Sequence, residues 1–219
     1  MRLPQLDDRL RKAAALFPAC AYGADIGADH GRLSCFLLAE NRCARMCISD
    51  LSAPSLEKAR RLIALHGLEH RADFQVGDGL KVLDRPVDAA AILGMGGKTI
   101  AKILTDGKAR LFGATLILSA HTEVHVLREA ICSIGYRIDK EDVSYAGGRF
   151  YVLIRALPGR EAYTEKEMLL GPSLIKERPE YYVPYLKWRQ GVLSCEKTDE
   201  GKRQLKMVEE ELQREGKSE

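Results

Sequence analysis

The chain has 219 residues, of which 46% are hydrophobic and 30% charged, and its basic and acidic side chains leave a formal charge of +3. That length can bury one full core plus a smaller appendage, and the balance excludes the disordered and membrane classes. A charge so close to neutral does not by itself announce a nucleic-acid protein, whose binding face shows as clustered cations.

Met1 to Phe17 interleaves Asp7, Asp8, Arg9, Arg11 and Lys12 with Leu6, Leu10 and Leu16. This reads as a helix and lacks the uninterrupted apolar stretch of a signal peptide. Nowhere does an apolar run reach the roughly 18 residues of a membrane span, so a cytoplasmic location without membrane contact is expected. Cys20, Cys35, Cys43, Cys47, Cys132 and Cys195 form no CxxC pair and have no histidine at ligand spacing. Neither a metal site nor a disulfide framework is indicated, and reduced thiols are expected.

From Ala21 the pattern repeats strand, turn and helix. A strand over Ala21 to Ile26 enters the glycine-containing turn Gly27 to Gly31, and a helix follows over Arg32 to Glu40. Met46 to Ser49 forms the next strand, with a helix over Ala53 to His66 that stops at Gly67. A third strand, Asp73 to Val76, runs into Gly77-Asp78-Gly79. Val87 to Leu93 is a nearly continuous apolar run, as expected for a parallel strand covered on both faces, and ends in Gly94-Met95-Gly96-Gly97, where a helix begins. Thr115 to Leu118 and a helix over Glu123 to Ile134 complete five βα units. Tyr136 to Ser144 and Arg149 to Leu157, joined by Gly147-Gly148, then read as a β-hairpin.

After Pro158 a segment with Tyr163, Pro172, Pro179 and Pro184 leads into a charged helical tail from Tyr185. Leu186, Val192, Leu193, Leu205, Val208 and Leu212 have spacings that fit a helical pair or short coiled coil, with Gly201 as the turn between its members. The expected architecture is α/β: a Rossmann-like sheet ending in an antiparallel hairpin over 1–158, and a small helical domain over 159–219. Ligands in such sheets bind at the carboxyl ends of the strands.

The first turn reads Asp25-Ile26-Gly27-Ala28-Asp29-His30-Gly31, which is not the G-x-G-x-x-G of dinucleotide enzymes. Glycine at a strand end lets a ligand approach the backbone, while acidic neighbours suit a cofactor with an ammonium and a ribose better than a pyrophosphate. Asp50, just after the second strand, stands where a carboxylate accepts from ribose hydroxyls, although it could equally be a helix cap. Asp78 could accept from an adenine amino group or close its own turn. Acidic groups at three successive strand ends argue for the ligand reading.

The series ADIGADHGRL, Asp50, GDGL and ILGMGG, together with YTEKEMLLGPSLIKE, resembles the bacterial tRNA adenine-N1-methyltransferase family that modifies position 22 of tRNA. The resemblance runs over essentially the whole chain and implies a class I methyltransferase fold, S-adenosylmethionine as cofactor and tRNA as partner. It implies a cofactor pocket at Asp25, Gly27, Asp50, Leu51, Asp78 and Gly79, with Asp29 and His30 beside it and Gly94 and Gly96 near the transferable methyl. Asp29 is the candidate catalytic carboxylate, assisted by His30 or His121, with Met95 shaping the slot for a flipped base. The chain departs from the family at Gly31-Arg32-Leu33, where alanine-tyrosine-leucine is usual, and at Ser119-Ala120-His121, where Gln-Pro-Asn is usual.

Arg9, Arg11, Lys12 and Arg32, and from the tail Lys187, Arg189, Lys202, Arg203 and Lys206, are candidate phosphate contacts. A second cluster, Lys98, Lys102, Lys108 and Arg110, also flanks the expected site, and solvated helix faces are the competing explanation for both. Contact between copies through the C-terminal helices competes for the tail cations. The alternatives to tRNA methylation are a methyltransferase with another acceptor, or a non-catalytic RNA-binding protein retaining the fold.

Overall fold

Successive side chains of a strand point to opposite faces, and the central strands of this chain are apolar on both. The computed structural model describes residues 3–216. Its elements in chain order are α1 (Asp8–Leu16), β1 (Cys20–Ile26), α2 (Arg32–Ala39), β2 (Cys43–Asp50), α3 (Ala53–Leu65), β3 (Ala72–Val76), β4 (Ala89–Met95), α4 (Gly97–Gly107), β5 (Thr115–Ala120), α5 (Val124–Ser133), β6 (Tyr136–Ala146) and β7 (Arg149–Pro158). The C-terminal part adds α6 (Glu165–Leu170), α7 (Pro172–Glu177), α8 (Tyr182–Leu193) and α9 (Asp199–Glu215).

The strands form one sheet in the order β3-β2-β1-β4-β5-β7-β6. β1 to β5 are mutually parallel, and β7 runs antiparallel to both β5 and β6. Alternation divides the core between two layers. Ala89, Ala91, Ile117 and Leu153 pack against α1, α2 and α3 through Phe17, Leu37 and Ile63. Ala90, Ile92, Leu116, Leu118 and Ile154 point the other way, against Ile100, Leu104 and Leu127 of α4 and α5. The chain order reverses between β1 and β4, which opens a crevice at their carboxyl ends.

Three expectations are corrected. The third unit has no α-helix, because Gly79–Val82 makes only a short 3-10 turn before β4. Within the expected helical domain, residues 165–177 form α6 and α7; Thr164 and Glu167 cap the first reciprocally, and Pro172 starts the second. Gly201 lies inside α9, where its N–H donates to the capping hydroxyl of Thr198, and the turn falls instead between Leu193 and Asp199. The boundary at 158 marks the end of the sheet but not of the core, since Leu174, Tyr182, Leu186 and Val208 join the cluster that holds Leu116 and Ile154.

A buried ion pair joins these C-terminal helices to the sheet. The Arg128 Nε of α5 donates to Glu141 Oε1 of β6 at 2.8 Å, with both side chains fully buried. Arg128 Nη1 also donates to the Met168 and Leu169 carbonyls ending α6, and Glu141 Oε2 accepts from Ser173 N at the start of α7. Each charge therefore meets the helix end of opposite partial charge. Removing one partner leaves the other buried and uncompensated. Arg128→Met is expected to destabilise the protein by roughly 3–5 kcal/mol in urea unfolding, and adding Glu141→Gln should recover part of that loss.

Candidate active site

Two carbonyl-lined strand ends become accessible only where side chains are missing. Gly27 ends β1 at φ +73°, and an added Cβ would sit 2.1 Å from the Met95 terminal methyl. Gly94 lies within β4 at φ +79°, where the pairing with β5 slips: Leu93 pairs Ser119 and Met95 pairs Ala120. This bulge turns the strand end toward the crevice. An added Cβ at Gly94 would point instead at Arg9 Nη1, 3.3 Å away, and at His121 Nε2, 3.6 Å away.

The crevice comprises two clefts that share Gly27, Leu93 and Gly94. The first, of about 380 Å³, is lined by Asp50, Leu51, Asp78, Gly79, Leu80, Met95, Thr99 and Ile103 among others. Leu51, Leu80 and Ile103 supply apolar walls of the kind that take a planar ring. Within this cleft Asp78 pairs with Lys81 and Asp106 with Lys102. Asp50 has no cationic partner among the described residues. Its Oδ2 accepts from the Asp29 N–H at 2.9 Å and its Oδ1 from the Ser52 N–H at 2.8 Å, so it fastens the first turn to the end of β2. The Ser49 carbonyl adds bonds from the Gly27 and Ala28 N–H groups, both at 2.9 Å.

The second cleft, of about 770 Å³, is lined by Arg9, Asp25, Asp29, His30, Arg32, His121, Gly147 and Tyr151 among others. Asp29, in the left-handed region at φ 48°, holds the His30 Nδ1 at 2.5 Å, and both side chains are exposed. His121 meets Tyr151 edge to face at 5.4 Å, while the Arg9 guanidinium stands over the same ring. Burial and the nearby Arg9 charge lower the His121 pKa, which keeps its imidazole neutral near pH 7. Behind this cleft Asp25 is buried and accepts from the Ser34 hydroxyl at 2.6 Å.

Asp50, Leu51, Asp78 and Gly79 thus come together in the first cleft, and Asp25, Asp29 and His30 in the second, with Gly27 and Gly94 between them. Three expected residues stand elsewhere. Asp25, expected in the cofactor pocket, does not line the first cleft, because its side chain turns inward from β1 to the Ser34 hydroxyl. Met95 lies in the first cleft against Gly27 and not in the second, because the bulge at Gly94 turns it that way. Gly96 lines neither cleft and serves as the N-cap of α4, beside Thr122. Of Ser119-Ala120-His121 only His121 reaches a cleft, since Ser119 and Ala120 are buried. Sequence reasoning missed Ile103 and Thr99 on α4 and Tyr151 on β7; they are distant in the chain and carry no local signal. Of the cationic cluster flanking the site, Lys98 pairs with Glu123 and Arg110 donates to the Leu83 carbonyl, whereas Arg9 and Arg32 have no carboxylate partner among the described residues. The described residues also contain no cluster of metal-ligating side chains and no helix long and apolar enough to cross a membrane.

A family model described as a methyltransferase domain matches residues 6–154. The chain is 31% identical over 194 residues to the tRNA (adenine(22)-N(1))-methyltransferase of Bacillus subtilis (strain 168), a match covering 85% of this chain and 81% of the other. The crystal structure of the B. subtilis M1A22 tRNA methyltransferase superposes with a TM-score of 0.78 at 27% identity, covering 96% of this chain and 97% of that one. TrmK of M. capricolum in complex with S-adenosyl-homocysteine has the same fold, with a TM-score of 0.83 at 23% identity over 95% of this chain and 98% of that one.

Burial raises the Asp25 pKa from 3.8 to about 6. The folded state therefore holds this proton more tightly than the unfolded chain, and the associated stability is full below about pH 4 and lost as pH rises through 6. Urea unfolding between pH 4 and 6 should show a loss of roughly 3 kcal/mol attributable to Asp25, and Asp25→Asn should flatten that slope.

Proposed function

This chain belongs to the bacterial tRNA (adenine(22)-N1)-methyltransferase family, and from that premise we propose that it transfers a methyl group from S-adenosylmethionine to N1 of an adenine in tRNA, at position 22. The observation that carries the reading is the pair of clefts meeting at Gly27, Leu93 and Gly94. One can hold the donor and the other the acceptor, with Gly27 and Gly94 supplying only backbone where they meet.

The residues of the first cleft fit the cofactor. The unpaired carboxylate of Asp50 suits ribose hydroxyls, Leu51, Leu80 and Ile103 suit the adenine faces, and Asp78 retains acceptor capacity for its amino group. When bound, the cofactor supplies a methyl already activated on a sulfonium. The protein's task is to hold the adenine N1 lone pair in line with that methyl and to exclude water. As the N1–CH3 bond forms and the C–S bond breaks, positive charge passes to the adenine ring. Asp29, on the rim of the second cleft, is placed to stabilise that charge or to accept a proton from the exocyclic amine. His30 holds the Asp29 carboxylate in place. Neutral His121 can accept a hydrogen bond from the base without adding a repelling charge. Met95 supports Gly27 from the cofactor side.

His121, standing where the family usually carries asparagine, favours as a second reading a methyltransferase with a different acceptor. A cytoplasmic location belongs to the same proposal and is consistent with six unpaired thiols. Self-association through the C-terminal helices is a finer proposal that would rest on Val192, exposed on α8, since Leu186, Leu193 and Val208 are buried within the chain.

Labelled S-adenosylmethionine with unmodified tRNA should yield N1-methyladenosine on nucleoside analysis. Cofactor binding without methylated tRNA would move the assignment to another acceptor. The two glycines should separate the clefts functionally. Gly27→Ala is expected to weaken cofactor binding in calorimetry, and Gly94→Ala to leave cofactor binding nearly intact while lowering turnover, each at about tenfold or more. Asp50→Ala should act like the first, and Asp29→Ala should lower turnover more than affinity; an unchanged rate would remove Asp29 from the mechanism.

A further inference from the structure

An exposed tryptophan is costly in water unless something covers it. Trp188 on α8 is 45% exposed and Tyr145 on β6 is 46% exposed, and neither belongs to the two clefts. Phe150 on β7 joins them, with ring centroids 4.8 Å from Tyr145 and 6.0 Å from Trp188. Tyr185 supports the strip from below, stacked on Trp188 at 5.9 Å. Resting on the tRNA reading above, we propose that Tyr145, Phe150 and Trp188 form a stacking platform for unpaired nucleotides of the RNA whose adenine enters the second cleft.

Charge identifies the occupant. Arg149, next to the hairpin tip, has no carboxylate partner among the described residues, so an unneutralised cation stands beside the path from the cleft to the strip. An unpaired cation at the tip with aromatic faces beyond it suits a polyanion with planar bases. Position supports the same occupant. Tyr145 and Phe150 are paired across the β6–β7 hairpin, and Tyr151, the next residue, points to the opposite face and lines the second cleft. At the hairpin tip only Gly147-Gly148 separates the two faces, and added side chains there would meet nothing within 4 Å. Arg149 stands on the cleft side of that tip, since its charge is felt at His121. A nucleotide chain leaving the cleft can thus cross a tip without side chains and reach the strip.

Trp188 is the chain's only tryptophan, so its fluorescence reports on this surface alone. Titrating the cofactor-bound enzyme with unmodified tRNA should quench it, with a midpoint that tracks the KM for tRNA. Trp188→Leu, which keeps apolar bulk without a π face, should raise that KM about tenfold, equivalent to roughly 1.4 kcal/mol of lost stacking, with kcat little changed. Trp188→Phe should stay close to the parent. Tyr145→Ser, at an exposed ring, should repeat the KM effect, with melting temperature and cofactor affinity unchanged in both. Methylation of tRNA with no quenching and an unchanged KM in Trp188→Leu overturns the platform and leaves the reaction standing. Fluorescence that shifts with protein concentration before RNA is added, with dimers in sedimentation, overturns it in favour of a second copy. If the parent enzyme methylates no tRNA, the reading beneath the platform fails first.

Discussion

The site depends on two strand ends that approach each other without side chains. Gly27 and Gly94 both take left-handed backbone conformations, which cost a β-carbon-bearing residue about 1–2 kcal/mol before any clash is counted. Sterics add to that cost in opposite directions, because a Cβ on Gly27 would strike Met95 in the first cleft and one on Gly94 would face Arg9 and His121 in the second. The two clefts therefore adjoin at two glycines that put no side chain between them, with Leu93 the third residue they share. The bulge at Gly94 makes this possible, since a regular β4 would keep its register with β5 and turn Met95 elsewhere.

Around this contact the carboxylates have different tasks set by their surroundings. Asp50 binds two backbone N–H groups and so shapes the turn that carries Asp29, which makes it structural and ligand-facing at once. Asp25 is buried with a single hydroxyl partner, and the resulting cost of its charge appears as a raised pKa. Asp29 is exposed beside His30 and free to meet a substrate. One acidic residue type at successive positions of one turn thus serves an interior role and a surface role.

The C-terminal helices are tied to the sheet by charge as well as by apolar packing. Arg128 and Glu141 satisfy each other and the facing ends of α6 and α7, so the helices are held at a defined place beside the β6–β7 hairpin. That placement sets Trp188 against Phe150 and aligns the aromatic strip with the hairpin tip. A well-packed apolar replacement could match the stability of such a pair, but the helix-end bonds also specify orientation.

The sequence alone determined the strand order, the hairpin and the acidic turn residues, because apolar strand runs, glycine stops and strand-end carboxylates are local signals, but not that the third unit lacks a helix. The family resemblance grouped Asp25, Gly27, Asp50, Leu51, Asp78 and Gly79, and all but Asp25 line the first cleft, since parallel strands deliver their ends to one edge. What the sequence could not decide was the side of the crevice on which each residue falls. Met95 lies on the donor side and Gly96 on neither, because a register slip of one residue between β4 and β5 sets their directions. Nor could it bring Arg9, His121 and Tyr151 together, or join Tyr145 to Trp188. Those groupings come from α1, β5, β7 and α8 meeting around one open sheet, and contact between residues far apart in sequence leaves no pattern in a single chain.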